Sequence, residues 1–317
     1  MTETSVSIAI ATLNRRDDLR DTLLELAKLD PPPLEILICL DGCTDGSATM
    51  LKEFPLVTVI ENERPSGSVY SRDRLFRMAR GDLIVSLDDD SFPMQQNFVA
   101  LLTKLADDRP EVGVFAFDEV RPDGRDDRLF QRPAEESYIG SYPNCAGAIR
   151  AKLYGADASY PLFFFHMYEE PDFCLQTYAN SYVVQQIPSI RILHRYTHVG
   201  RNMIRRHHQH ARNELLSVLM RCPFPHVFWV ASYRILRQLI FAASNGINWV
   251  IHEPSWWWRA LLGSRNALAQ RRPVPWNIYW NWMRLARRPI TSANELASRF
   301  SGINIADKSL ASDKKKN

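Results

Sequence analysis

The stretch Leu83-Ile84-Val85-Ser86-Leu87-Asp88-Asp89-Asp90 constrains this chain most: an apolar run that ends abruptly in three carboxylates. A short, bounded apolar run suits a strand buried on both faces of a parallel sheet. Side chains alternate along a strand, so Asp88 and Asp90 point one way and Asp89 the other. Three adjacent anions raise one another's pKa unless a cation or hydrogen bonds offset the repulsion. Hard divalent cations with oxygen ligands are the natural partner. In open α/β sheets, ligands sit at the carboxyl ends of strands. One reading is therefore a metal-assisted site at the end of a strand over 82–87. The other is a solvated acidic turn, and the surroundings decide between them.

Residues 5–11 and 35–40 read as two further buried strands, and 56–61 as a third. Between the first two, Leu19, Leu23 and Leu26 fall at i, i+4 and i+7, which predicts a helix. Asn14, with Asp17 three residues on, reads as its N-cap, and Pro31-Pro32-Pro33 as its stop. Residues 66–80 are helical in character and carry Arg72; Gly81 ends them. Strands alternating with helices imply a parallel, doubly wound sheet. Thr12 and Asn14, the turn Asp41-Gly42-Cys43-Thr44-Asp45-Gly46-Ser47 and the Asp triplet then share one rim. Polar groups of three chemistries on one rim favour a site over an inert turn.

The ordered set IATLNR (10–15), LDGCTDGS (40–47), a helix carrying Arg72, and LDDD (87–90) resembles the family-2 glycosyltransferases of GT-A fold, in particular bacterial polysaccharide and rhamnosyl transferases. LDDD matches their DxD element, and the likeness covers roughly residues 5–215. It implies an α/β fold with a mixed, mainly parallel sheet flanked by helices. That fold binds a nucleotide-diphosphate sugar through Mn²⁺ or Mg²⁺. By resemblance Thr12, Asn14 and Arg15 line the nucleotide site, and Asp41 accepts the N3–H of uracil or thymine. Arg72 shapes the nucleotide pocket, Asp88 lies near the ribose with Asp89 beside it, and Asp90 holds the metal against the diphosphate. The physical need agrees, because a diphosphate does not sit beside three carboxylates without a bridging cation, which also stabilises the leaving group. Read from the residues alone, Arg72 is as well a solvated helix residue and Asn14 a helix cap.

Residues 94–107 read as an amphipathic helix, 112–117 as a strand, 118–137 as a surface loop and 144–149 as a strand crossing near the sugar site. Tyr168-Glu169-Glu170-Pro171-Asp172-Phe173-Cys174-Leu175 is similar to the family's second acidic element, with Glu170 where Asp is common. Inverting transfer needs a carboxylate to take the acceptor hydroxyl's proton. By resemblance Glu170 is the first choice of base and Asp172 the second. From the residues alone the same stretch is a helix start with Pro171 in its first turn. After a strand expected over 183–186, His194 resembles the family's additional metal ligand, and imidazole suits Mn²⁺ better than Mg²⁺. A zinc pair of His194 and His198 has the spacing of helical ligands but no Cys or HExxH context.

The run 201–212 (RNMIRRHHQHAR) is basic and His-rich. It reads equally as a loop closing over the donor diphosphate or an anionic acceptor, and as a solvated helix face. All eight Trp lie beyond Pro223, among Arg-rich helical patterns. Such helices suit a membrane surface, hence a lipid-linked acceptor; packing on the catalytic domain or a homodimer contact is the alternative. The division expected is 1–222 catalytic, 223–306 helical extension and 307–317 disordered tail. Five Cys without a CxxC pair read as reduced, and no secretory signal or transmembrane-length run is evident, so the expected location is cytoplasmic, with peripheral attachment at the inner face of the cell membrane. The net charge of +3 singles out no partner, and no nucleic-acid-binding module is recognisable. The leading function is an inverting, metal-dependent transfer from a UDP- or dTDP-sugar to a hydroxyl of a saccharide or lipid-linked acceptor. The alternative is a non-catalytic sugar-nucleotide-binding or scaffold protein of the same fold. A sugar nucleotidyltransferase needs a Gly-rich loop near the first strand, and IATLNRRDD has no Gly.

Overall fold

The computed structural model describes residues 4–122, 134–155, 157–196 and 202–300. Strand β1 (Val6–Thr12) leads into α1 (Arg16–Leu26), which buries Leu19, Leu23 and Leu26. The alternation continues through β2 (Glu35–Asp41), the single turn α2 (Ser47–Met50), β3 (Val57–Asn62), α3 (Ser68–Met78), β4 (Leu83–Asp88) and the short β5 (Ser91–Pro93). β1 pairs in parallel with β2 and β4, and β2 with β3. Ile8, Ile10, Ile38, Ile84 and Val85 are wholly buried. Both faces of these strands are covered, so neither face needs polar residues, and the sequence runs apolar instead of alternating.

The second half adds α4 (Phe98–Asp108), β6 (Val112–Val120), β7 (Ser137–Tyr138), β8 (Gly147–Arg150), α5 (Glu169–Ala179) and β9 (Val183–His194). The sheet order is β3-β2-β1-β4-β8-β6-β9-β5, with β7 also on β9. The long pairings are parallel; β8, β5 and β7 join by short antiparallel ones. The sheet is thus mixed and mainly parallel.

Three elements differ from the sequence expectation. The segment expected as a strand over 144–149 starts as a 3₁₀ turn, Asn144–Ala146, and becomes β8 only at Gly147. A Cβ at Gly147 would stand 2.6 Å from the Tyr142 ring, so only glycine allows this approach. β9 runs to His194 instead of ending near 186. Its register against β6 shifts between Phe117 and Asp118, and that irregularity accommodates Pro188 within the strand. In the stretch expected as a loop, β6 reaches Val120 and β7 begins at Ser137; residues 123–133 lie outside those described.

The chain continues through α6 (Met203–Arg221), α7 (His226–Ser244), α8 (Ile247–Ala269), α9 (Trp276–Leu285) and α10 (Ala293–Arg299). α6 packs on α7 and α8, and α9 on α5. Trp282 Nε1 donates to Gly140 O at 2.9 Å, and Tyr178 stacks on Phe300 at 4.6 Å. Val227, Tyr279 and Leu285 belong to the same buried cluster as Ile8. The composition change beyond Pro223 therefore alters the surface more than the core, which is continuous with the sheet. Among the described residues no helix is long and apolar enough to cross a membrane. The expected tail at 307–317 lies outside them.

Candidate active site

β4 ends at Asp88, and Ser91 Oγ accepts from Asp88 N at 2.8 Å, folding the acidic residues into a tight turn. The strand ends at Asp88, and Asp89 and Asp90 lie in the turn, so the alternation expected from a strand does not extend to them, and Arg15 reaches both. Asp89 turns toward β1, where Thr12 Oγ1 donates to its Oδ2 at 2.7 Å and Arg15 Nη1 stands 3.3 Å from its Oδ1. Burial dominates there and lifts Asp89 to a pKa of about 7, against the pull of Arg15 and Thr12. Asp88, the most open of the three, pairs with the buried guanidinium of Arg72. Asp90 Oδ2 accepts from Arg15 Nη2 at 2.8 Å, and its Oδ1 lies 3.2 Å from His194 Nε2. Burial opposes the charge on Asp90, but His194 and Arg15 outweigh it and hold the carboxyl at about 2.

The antiparallel pairing of β5 with β9 sets His194 opposite Ser91, one residue past Asp90. Its Nδ1 is 2.7 Å from Glu119 Oε1 on β6, and its Nε2 faces Asp90 Oδ1 and, at 3.8 Å, Asp88 Oδ2. Burial works against a charged imidazole; Cys145, Asp90 and Glu119 together still hold its pKa above the ordinary value. A carboxylate on one ring nitrogen, with the other aimed at free ligands, is the arrangement that orients a metal-binding His. Asp90 Oδ1 is buried and accepts no hydrogen bond among the described residues. Ligand atoms of Asp88, Cys145 and His194 lie within 4.8 Å of one another. Burial pushes the Cys145 thiol up to about 11, which leaves it protonated and a poor ligand. Oxygen ligands from Asp88 and Asp90 with one imidazole make a donor set that fits Mn²⁺ or Mg²⁺.

Asn14 does not cap α1. It sits in the left-handed region at φ 54°, and its Oδ1 accepts from Thr44 N at 2.7 Å, tying the end of β1 to the turn after β2. Arg15 takes the cap position, where its guanidinium, a donor only, cannot accept a cap bond and instead reaches Asp89 and Asp90. Asp41 accepts from Asn62 Nδ2, Ser66 N and Gly67 N at 2.7–2.9 Å, so it anchors the start of α3. Gly67 has φ 95°, and a Cβ there would stand 2.5 Å from Phe165 O. A cleft of about 290 Å³ opens beside Asp41, lined among others by Thr12, Gly67, Ser68, Phe165, His166 and Arg205. Thr12 links this cleft to the Asp89 side of the acidic turn.

The second acidic element forms the first turn of α5. Phe165, Met167 and Tyr168 precede it with φ of 65°, 74° and 72°. Such strain persists only where the surroundings enforce it. Here buried Asn213 of α6 enforces it, donating to the carbonyls of Phe164, His166 and Met167 at 3.1, 2.9 and 2.7 Å. Glu169 is buried; its Oε1 accepts from Asn144 Nδ2 at 3.2 Å and its Oε2 from nothing among the described residues. Glu170 is half-buried. Loss of solvent, then the adjacent charge of Glu169, pushes Glu170 well above the ordinary glutamate range. Asp172 is a correction to the sequence reading. It is wholly buried, and its two oxygens accept from Ser217, Arg221 and Gln176 at 2.6–3.2 Å. A carboxylate so enclosed cannot reach an acceptor hydroxyl, so it does not serve as a base.

From Met203 on, the basic run is helical, as part of α6. Its Arg205, Arg206 and Gln209 line the cleft, while His207 and His208 turn inward, His207 Nε2 lying 2.8 Å from Glu253 Oε1 on α8. His198, the partner in the zinc reading, lies outside the described residues. Sequence reasoning missed Glu119, Cys145 and Asn213. Nothing in a single sequence tells that Glu119 on a strand edge meets a His 75 residues later.

A mixed sheet with a nucleotide-sized cleft and an acidic turn at its carboxyl rim defines a GT-A glycosyltransferase fold. The chain belongs to Glycosyl transferase family 2, whose profile matches residues 7–171. It is 32% identical over 90 residues to the uncharacterized glycosyltransferase YfnE of Bacillus subtilis (strain 168); the match covers 26% of this chain and about a fifth, 22%, of that protein. Among solved structures it resembles S. aureus TarS 1-349 in complex with UDP-GlcNAc (TM-score 0.60, 16% identity, 83% of this chain and 81% of that one). It also resembles the mannosyltransferase PcManGT from Pyrobaculum calidifontis in complex with GDP-Man and Mn²⁺ (TM-score 0.55, 16% identity, 90% and 86%). GalNAc-T7 with UDP, GalNAc and Mn²⁺ aligns at TM-score 0.57 and 16% identity, over 70% of this chain and 49% of that one. At these identities the likeness establishes the fold.

Two substitutions test the architecture. Asp172→Asn strands Arg221 in the core and is expected to destabilise the protein by about 3–5 kcal/mol in denaturant melts. Asn213→Ala is expected to cost about 1–3 kcal/mol and to speed amide hydrogen exchange across 164–168, with the sheet amides unchanged.

Proposed function

We propose that the chain is an inverting, metal-dependent glycosyltransferase that moves a sugar from a UDP- or dTDP-sugar to a hydroxyl of a saccharide or lipid-linked acceptor. The observation that carries this is the convergence of Asp88, Asp90 and a Glu119-oriented His194, with Asp88 near enough to act on Glu169 and Glu170 in the first turn of α5. Asp90 and His194, with Asp88 alongside, would hold the divalent ion. When bound, the ion neutralises the diphosphate and stabilises the charge it gains on leaving. The complexes of PcManGT and GalNAc-T7 with Mn²⁺, and of TarS with UDP-GlcNAc, are in keeping with this chemistry.

The chain's own residues do the rest. Asp41 keeps one lone pair beyond its three donors and lines the cleft, where it would accept the imide N–H of a uracil or thymine. Thr12, Asn14 and Arg15 shape the floor between base and phosphates, and Arg72 fixes Asp88 near the ribose. The acceptor hydroxyl attacks the anomeric carbon as the bond to the diphosphate breaks, and Glu170 takes its proton. A single displacement of this kind inverts the anomeric centre. The raised pKa of Glu170 suits a base, because proton transfer is most efficient near the working pH.

Glu170→Gln is expected to lower kcat by about 10²–10⁴-fold while calorimetric binding of the donor survives. Near-normal turnover would remove Glu170 from the role. A protein with no activity before the change would be the non-catalytic binding module instead. Because Glu170 must be deprotonated, kcat/KM is expected to rise with pH through a value above the ordinary glutamate pKa of about 4.3. Glu169→Gln removes the neighbouring negative charge, lowers the pKa of Glu170 and so moves that rise to lower pH. An unmoved profile would assign it to another group.

A further inference from the structure

We propose that the outward face of α7 and α8 is a docking surface for an anionic lipid bilayer. Both helices carry apolar side chains on two opposite sides, the inner one also burying Arg234 and Gln238 against Glu214, and Glu253. The inner side buries Val227, Val230 and Ala242 of α7, and Trp256, Ala260 and Ala267 of α8. The outer side carries Trp229, Leu236 and Ile240 of α7 at i, i+7 and i+11, with Trp229 76% and Ile240 60% exposed. On α8 it carries Ile251, Trp258 and Leu262, with Ile251 66% and Trp258 61% exposed. A helix that meets water on one side normally places charged residues there; an outward face carrying large apolar side chains in their place implies a second apolar environment. Neither helix is long and apolar enough to cross a bilayer, so the face lies along its surface.

Charge selects the occupant. Between Leu215 and Asn294 the chain has ten arginines, no lysine, no aspartate and one glutamate, Glu253. That glutamate is wholly buried, between His207 and Trp256. Arg221, Arg234 and Arg237 pair with buried Asp172 and Glu214, and the other seven arginines face no carboxylate from within this stretch, so it shows water net positive charge. A second copy of this face would bring arginines against arginines, whereas phosphate headgroups supply the missing anions. The cations also rim the apolar area. Arg287 donates to the Tyr233 hydroxyl on α7, the Arg271 guanidinium lies 4.7 Å over the exposed Phe224 ring, and Arg265 is exposed on α8 itself. Tryptophan at headgroup depth, with arginine on anionic lipid, is the chemistry of interfacial helices. The proposal does not depend on the transfer reaction: a failure of one leaves the other standing.

The test is co-sedimentation of the full chain with vesicles of phosphatidylglycerol and phosphatidylcholine in equal parts, and of phosphatidylcholine alone. Binding to the anionic vesicles is expected, weakening as salt screens the charges, with binding to the neutral vesicles about tenfold weaker or more. A Trp229→Ser/Trp258→Ser variant is expected to bind the anionic vesicles about tenfold less, with unchanged circular dichroism and donor binding. Arg265→Glu, at an exposed position that folding does not use, is expected to weaken the same binding and its salt dependence. The proposal is overturned by folded wild-type protein that ignores anionic vesicles, or by variants that bind as tightly as it does. It is also overturned by a tight dimer in sedimentation velocity that the tryptophan variant dissolves, since the face would then belong to a second copy.

Discussion

Everything at the carboxyl rim follows from the repulsion among Asp88, Asp89 and Asp90. Three adjacent carboxylates at the end of a buried strand are tolerable only if each finds its own compensation, and each finds a different one. Arg72 neutralises Asp88, Thr12 and Arg15 hold Asp89, and Arg15 and His194 hold Asp90. These partners come from α3, β1, the residue before α1, and β9, so the turn ties together elements far apart in the chain. One oxygen is left for a further ligand. Asp90 Oδ1 is buried and accepts no hydrogen bond among the described residues, 3.2 Å from the imidazole nitrogen that Glu119 aims toward it. A hard divalent cation is the kind of species that carboxylate oxygens grouped in this way can take.

The second acidic element obeys a different logic. Two glutamates open α5, and desolvation pushes both above the ordinary glutamate pKa. The third acid, Asp172, is the one fully neutralised by its own arginine. Adjacent residues on a helix point in different directions, so the same motif yields a half-exposed group suited to proton transfer and a buried strut. The strut is what fastens α5 to α6, and Asn213 on α6 holds the strained approach to Glu169. Chemistry and architecture are thus shared between two helices that sequence order separates.

The sheet was legible because its strands announce themselves by apolar runs, and the rim because polar residues end those runs at 12, 41 and 88. The strand period does not carry through Asp89 and Asp90, which lie in the turn after β4 and share Arg15. What the chain did not disclose is long-range: that Asn14 would bind the next turn in preference to capping its own helix, that Asp172 would meet Arg221, and that Glu119 would stand behind His194. Each of these is decided by which helix or strand packs alongside, and no local period encodes that. The strand expected over 183–186 is also too short, because a register shift against β6 lets β9 run on past Pro188 to His194.

The central claim is that the acidic turn is a cation-dependent site for a nucleotide diphosphate. The most direct measurement is calorimetric titration of the protein with UDP, with Mn²⁺ present and again with excess chelator, on the wild type and on Asp90→Asn. The account predicts binding with the ion, at least about tenfold weaker binding without it, and loss of the ion's effect in Asp90→Asn. Equal affinity with and without the ion, in protein shown to be folded, would contradict it.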